Sequence, residues 1–173
     1  RPAPRRGVST PLATRTGPAS ARAASAQLAR RRGRSLLVLA ICVLGIWQRL
    51  WFYLQARPLW LDPAMLALNI LDKGPRELFG PLDWNQAAPV GFLLLEKAAV
   101  AAFGDSELAL GAVPFVCAVA ALLLFALVAW QAFHPSVAAV LVLPFAVSAT
   151  AIFYAAEVKQ YSADLLAVAL LLW

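Results

Sequence analysis

The chain has 173 residues, of which 62% are apolar and 14% are charged, and its formal net charge is +6 at pH 7. A soluble domain is usually less than half apolar and about a quarter charged, so this composition excludes an ordinary water-soluble domain. The basic residues are concentrated in one flank beside an apolar segment, which argues against nucleic-acid binding. We therefore expect an integral membrane protein.

The first segment, residues 1–34, contains nine arginines and no acidic or aromatic residue. It is rich in Arg, Ala, Ser, Pro and Gly and has no sustained apolar face, which predicts a disordered tail. An organelle transit peptide has a similar composition, but four prolines interrupt an amphipathic helix over much of the segment. We favour a basic cytoplasmic tail.

Apolar segments after the tail predict membrane helices, since about 20 apolar residues span a bilayer. Arginines directly precede the first segment, and the positive-inside tendency places that end in the cytoplasm. The last segment runs to the end of the sequence and the chain does not begin with Met, so we expect a piece of a longer protein. The predicted helices cover residues 35–54, 108–130, 137–156 and 165–173 onward, and a long external loop covers 55–107.

Residues 87–103 are apolar, but Glu96 and Lys97 lie near their centre. A charge at the bilayer centre costs roughly 2.5 to 3.5 kcal/mol, so we predict an interfacial helix rather than a crossing. The polar turn 157–164 then faces the same outer side as Asp62. The sequence thus predicts an all-α fold, a polytopic transmembrane helical bundle over residues 35–173 with juxtamembrane helices in the first external loop.

Three polar motifs stand out from this background. In LWLDPAMLALNIL, Asp62 precedes Pro63 and is either a helix N-cap or a catalytic base. PLDWNQAAPVGF combines amide and aromatic side chains, which is typical of a sugar-binding surface or of an interfacial loop with a Trp anchor. FYAAEVKQYSAD is either a functional cluster or a solvated turn. Asp164 of the last motif is a second candidate catalytic acid beside Asp62, and the candidate binding residues of the last two motifs are Asp83, Asn85, Gln86, Glu157, Lys159, Gln160 and Tyr161.

Glu157, Tyr161 and Asp164 follow at steps of four and three, so they would share one face if this turn is helical. Cys42 and Cys117 lie in apolar runs, and the sequence around the one histidine, His134, has no metal-ligand spacing. We therefore predict no metal site from the residues themselves.

The order and spacing of these motifs resembles the GT-C superfamily of membrane glycosyltransferases, near the bacterial protein O-mannosyltransferases and lipid A aminoarabinose transferases. The resemblance covers residues 36–173 and rests on LWLDPA, NQAAPVGFLLLEKAAVAAFGDSELAL and FYAAEVKQYSAD. It implies an enzyme of the bacterial inner membrane that moves a hexosyl or pentosyl group from a polyprenyl-phosphate donor. The acceptor would be a lipid, a glycan or a protein at the outer face.

In such families the first-loop acid is the proposed base, which corresponds to Asp62, and the second external acid corresponds to Asp164. A cation near the phosphate would stabilise the leaving group, and Lys159 is the best candidate with Arg57 as competitor. No cofactor is implied with certainty, although a divalent metal is compatible with the chemistry.

The chain departs from the family pattern at three positions. Many relatives have Asp-Glu where this chain has Asp62-Pro63, a basic residue where it has Ala88, and an Arg where it has Gly111. These departures put the second carboxylate and the donor site in question. A transporter or flippase is the alternative function, although no internal repeat is apparent. A structural membrane subunit is the third.

Overall fold

A computed structural model describes residues 18–173 of the chain. All regular elements in this part are helical, and no strand occurs in it, which confirms the all-α fold class. The helices are α1 (Pro18–Tyr53), α2 (Leu61–Asp72), α3 (Val90–Phe103), α4 (Glu107–Ala132), α5 (Pro135–Val147), α6 (Ala149–Phe153) and α7 (Tyr161–Leu172), with short 3-10 helices at Glu77–Phe79 and Asp83–Asn85.

Two helical stretches in the described part are long and apolar enough to cross a membrane, Ser35–Tyr53 of α1 and the whole of α4. Helices α5 and α7 are apolar but shorter, at 13 and 12 residues. Large apolar side chains are exposed along all four helices, including Leu39, Val116, Val140 and Leu171. Water would make such surfaces costly, whereas lipid would not.

Helix α1 begins at Pro18, within the segment for which composition predicts disorder. Proline suits the first helical position because its missing N–H would have no helical partner there. The residues that follow it are rich in Ala and Arg, which are strong helix formers. This part of the tail is therefore helical rather than disordered, and residues 1–17 lie outside the described residues.

A first apolar core joins α1, α4 and α5. At its centre, Gly45 lets α1 approach closely, because a Cβ at this position would lie 2.8 Å from Leu122 Cδ2 and 3.0 Å from Ala146 Cβ. Small side chains dominate the contact, as is common where membrane helices pack. The buried members are Val38, Ile41, Cys42, Leu122, Ala126, Ala129, Ala138, Ala139, Val142 and Ala146.

A second apolar core joins α2, α3, the start of α4 and the turn before α7. Helix α3 has 14 residues, which correspond to about 21 Å. That length is short of the hydrocarbon core of a bilayer, which is about 30 Å thick. The buried members are Leu66, Ala67, Ile70, Leu78, Phe92, Leu93, Leu110 and Val158, so the first loop and the turn before α7 lie at the same end of the molecule.

The adjacent charges of α3 point to different surroundings. Lys97 Nζ donates to the carbonyls of Ile70 at 2.7 Å and Leu71 at 3.0 Å, near the end of α2. Glu96 is 0% exposed, and within the described part neither of its carboxyl oxygens has a hydrogen-bond partner. Burial raises the pKa of Glu96 to about 9, so the group is held neutral at physiological pH.

The predicted continuous helix over 137–156 is wrong, because the structure has two helices that meet at Ser148. Ser148 has a ψ of 116°, outside the helical range, and its side chain accepts a hydrogen bond from Ala151 N at 3.3 Å. Pro144 lies one turn earlier in α5 and removes one backbone donor. The chain therefore ends one helix and caps the next within a single apolar run.

Arg49 of α1 supplies hydrogen bonds at this break. Its Nη1 donates to the carbonyls of Gly45 and Ala146 at 2.9 Å, and its Nη2 donates to Phe145 at 3.0 Å. Arg49 is 0% exposed, so its side chain does not reach the surface of the helix bundle. The end of α5 leaves carbonyls without helical donors, and a guanidinium can satisfy several at once.

Candidate functional site

Asp62 lies in the first turn of α2 and makes long-range contacts. The helix begins at Leu61, and Trp60 is its N-cap without a side-chain capping bond. Asp62 Oδ1 accepts from Gln86 Nε2 at 3.0 Å, and its Oδ2 lies 2.9 Å from Lys159 Nζ. The N-cap interpretation of Asp62 is therefore wrong, because the carboxylate contacts two distant segments instead.

A third hydrogen bond closes these contacts into a ring. Lys159 Nζ donates to Gln86 Oε1 at 2.8 Å, so each of the three side chains contacts the other two. We call this arrangement the Asp62–Gln86–Lys159 ring. It joins the start of α2, the segment before α3 and the turn before α7.

The two charged members of the ring differ in exposure. Lys159 is only 7% exposed, whereas the Asp62 side chain is 63% exposed. Hydrogen bonds from Lys159 and then from Gln86 lower the pKa of Asp62, so the carboxylate is ionised at neutral pH. While both bonds persist, Asp62 is a weak base.

A cavity of about 450 Å³ lies beside the ring, within the size range of small-molecule sites. Two cationic side chains and two carboxyl groups line it. Burial raises the pKa of Glu157, and the positive charge of Arg57 opposes that rise. We call this cavity of about 450 Å³ the polar cavity. Its lining residues are Arg57, Pro58, Trp60, Asp62, Pro63, Phe153, Tyr154, Glu157, Lys159 and Tyr161.

An apolar groove adjoins the polar cavity. Tyr154 and Tyr161, whose ring centroids are 4.6 Å apart, line both spaces. The groove has a first part of about 480 Å³ and a wholly apolar second part of about 290 Å³. The residues of the first part are Phe145, Ser148, Thr150, Ala151, Tyr154, Tyr161, Asp164, Leu165 and Val168, and those added by the second are Ala121, Phe125, Ala169 and Leu172.

The structure brings together five of the predicted site residues. Asp62, Glu157, Lys159 and Tyr161 line the polar cavity, and Gln86 completes the ring. Asp164 instead lines the apolar groove, and half-buried Gln160 precedes α7 without lining the polar cavity. The turn is not helical at Glu157, since α7 begins only at Tyr161, so the condition for a common helical face of Glu157, Tyr161 and Asp164 is not met.

Asp83 and Asn85 lie in the segment that presents Gln86. Asp83 forms an ion pair with Lys73 at 3.0 Å, and its backbone is held in both directions by the Asn69 side chain at 2.8 and 3.3 Å. Trp84 and Asn85 have φ values of 54° and 55°, which are uncommon for residues other than glycine. Neither Asp83 nor Asn85 lines the polar cavity. Their role is therefore to position Gln86 and not to contact a molecule bound in that cavity.

Sequence reasoning missed two aromatic residues of the polar cavity, Trp60 and Phe153. Trp60 is 81% exposed although it lies two residues from Asp62. An exposed Trp beside a candidate acid is a usable signal, because aromatic faces pack on sugar rings. Among the described residues, no group of three or more His, Cys, Asp or Glu side chains lies close enough together to hold a metal ion.

No family model matches the chain, and searches of curated proteins and of solved structures found no significant match.

Proposed function

We propose that the protein is a GT-C type glycosyltransferase that moves a sugar from a polyprenyl-phosphate donor to an acceptor at the outer face of the bacterial inner membrane. The observation that supports this most is the position of the Asp62–Gln86–Lys159 ring on a polar cavity that adjoins an apolar groove. A donor of this class has a sugar phosphate at one end and a long hydrocarbon chain at the other.

The two spaces fit the two ends of such a donor. The polar cavity offers Arg57 and Lys159 to a phosphate and the exposed Trp60 to a sugar ring. The apolar groove runs past α4, α5 and α7, where an isoprenoid chain would contact apolar side chains. Leu165 and Val168 of the groove are exposed apolar residues, which supports a groove that faces lipid.

The chemistry is a substitution at the anomeric carbon. An acceptor hydroxyl or amine attacks this carbon while its proton passes to the Asp62 carboxylate. The new bond forms as the bond to the phosphate oxygen breaks, and the phosphate leaves with the electron pair. Lys159 and Arg57 stabilise the negative charge that develops on the leaving group.

The proposed topology places this chemistry outside the cell. The amino-terminal tail is cytoplasmic, Ser35–Tyr53 exits, α4 returns and α5 with α6 leads out again. The short α3 packs with α2 in the second core and does not cross. An even number of crossings thus separates Asp62 from Lys159, which agrees with their contact at 2.9 Å.

Substituting Arg57 tests the donor site. Arg57→Gln is expected to raise the KM for the donor about tenfold, because a charge-assisted contact to the phosphate contributes about 1.5 kcal/mol. The measurement is sugar transfer from radiolabelled polyprenyl-phosphate sugars by membranes that contain the complete protein. The matched control is Arg76→Gln, since Arg76 is exposed and does not line the polar cavity. Absence of transfer by the unaltered protein from every such donor would contradict the proposed function.

The break between α5 and α6 favours a second candidate, a lipid flippase or transporter. Discontinuous helices are common at the binding sites of transporters, and Ser148 lies on the apolar groove. A flippase is expected to make NBD-labelled farnesyl phosphate in both leaflets of proteoliposomes accessible to dithionite. A glycosyltransferase is expected to leave the inner-leaflet half protected, as in liposomes without protein.

A further inference from the structure

The ion pair of the Asp62–Gln86–Lys159 ring joins a buried cation to an exposed anion. A buried charge without a partner is strongly unfavourable, so Lys159 at 7% exposure needs an anion at all times. The Asp62 side chain is 63% exposed, and water can solvate it if the pair opens. An anion in the polar cavity can therefore replace Asp62 at Lys159 with little cost on the Asp62 side.

We propose that Asp62 occupies the Lys159 anion site in the resting protein and that the phosphate of a lipid-phosphate ligand displaces it, so that ligand arrival frees the base. This inference rests on the proposed function and adds the regulation of its site. An apolar groove adjoins the polar cavity and would hold a hydrocarbon chain. We therefore take the anion to be the phosphate of an amphiphile and not free phosphate. Arg57 lines the same cavity and provides a second cationic contact for the phosphate group.

The exchange changes the chemistry of Asp62. Its bond from Lys159 is the main cause of its lowered pKa, so loss of that bond makes the carboxylate a stronger base. Gln86 Nε2 and Oε1 bond to Asp62 and Lys159 through different atoms, so neither bond depends on the contact between the two charges. Gln86 is thus a positioning residue that keeps the freed carboxylate beside the phosphate. The base is activated only when the leaving group is in place.

The test is the affinity of the complete protein in nanodiscs for decyl phosphate, measured by calorimetry. Asp62→Asn is expected to bind decyl phosphate about tenfold more tightly, because the internal competitor for Lys159 is gone, and a tenfold change corresponds to about 1.4 kcal/mol. Lys159→Gln is expected to weaken binding. In the Lys159→Gln background, the gain from Asp62→Asn is expected to disappear, because that gain acts through Lys159.

Asp105→Asn is the matched control, since Asp105 is exposed in the turn before α4 and lies outside the polar cavity. An equal gain from Asp105→Asn, no gain from Asp62→Asn, or a gain that persists without Lys159 would overturn the exchange. Inorganic phosphate serves as a parallel probe, and an affinity equal to that of decyl phosphate would overturn the assignment to a lipid. Exchange without sugar transfer would contradict the proposed function alone, whereas transfer without the Asp62→Asn gain would contradict the exchange alone.

Discussion

Asp62→Asn is expected to lower the kcat of sugar transfer by about a hundredfold to ten-thousandfold, the usual contribution of a general base. Asparagine keeps the size of aspartate but cannot accept the proton of the attacking acceptor. Because the substitution also removes the competitor at Lys159, the KM for the donor is expected to fall rather than rise. A simultaneous drop in both constants separates a lost base from a general loss of binding.

The measurement is the dependence of transfer rate on donor concentration in membranes that contain equal amounts of each variant. Asp105→Asn controls for the loss of one negative charge and is expected to match the unaltered protein. Undiminished transfer by Asp62→Asn would remove Asp62 from the mechanism.

Glu96→Gln is expected to stabilise the protein at alkaline pH. The pKa of Glu96 is about 9 in the folded protein against an ordinary value of 4.5, so the unfolded chain loses this proton first. Stability therefore decreases as pH rises from 4.5 towards 9, because the unfolded state releases the proton that the folded state keeps. Glutamine has the same shape and no charge to bury, so its variant lacks this decrease.

Thermal unfolding in detergent between pH 5 and 9 measures the effect. The difference in Tm between Glu96→Gln and the unaltered protein is expected to widen as pH rises. Asp72→Asn is the control, because Asp72 is an exposed acid at the end of α2. Parallel pH profiles for all three proteins would show that Glu96 is ionised in the fold.

The sequence predicted those features that depend only on residues close together in the chain. Length and apolarity located Ser35–Tyr53 and α4, and the apolar stretch 87–103 correctly predicted a separate helix within 55–107. The same stretch could not show that Lys97 would find the carbonyls of α2 while Glu96 would lose its charge. That outcome depends on which face of α3 meets its neighbours, and the pattern of this helix is apolar on all sides.

Sequence reasoning marked part of the membership of the candidate site and none of its geometry. Asp62, Gln86 and Lys159 were each marked as polar residues in an apolar chain, but 73 residues separate Gln86 from Lys159. Their ring depends on tertiary packing of the second core around Val158. Asp164 was grouped with Glu157 by helical spacing, and the start of α7 at Tyr161 separates them.

The donors and acceptors at the α5–α6 break come from different parts of the chain. Arg49 belongs to α1, whereas the carbonyls of Phe145 and Ala146 are synthesised almost a hundred residues later. Since chains fold from the amino terminus during synthesis, α1 acts as a template on which the later segment bends. We therefore expect the wall of the groove around Ser148 to acquire its shape only after α5 has docked on α1.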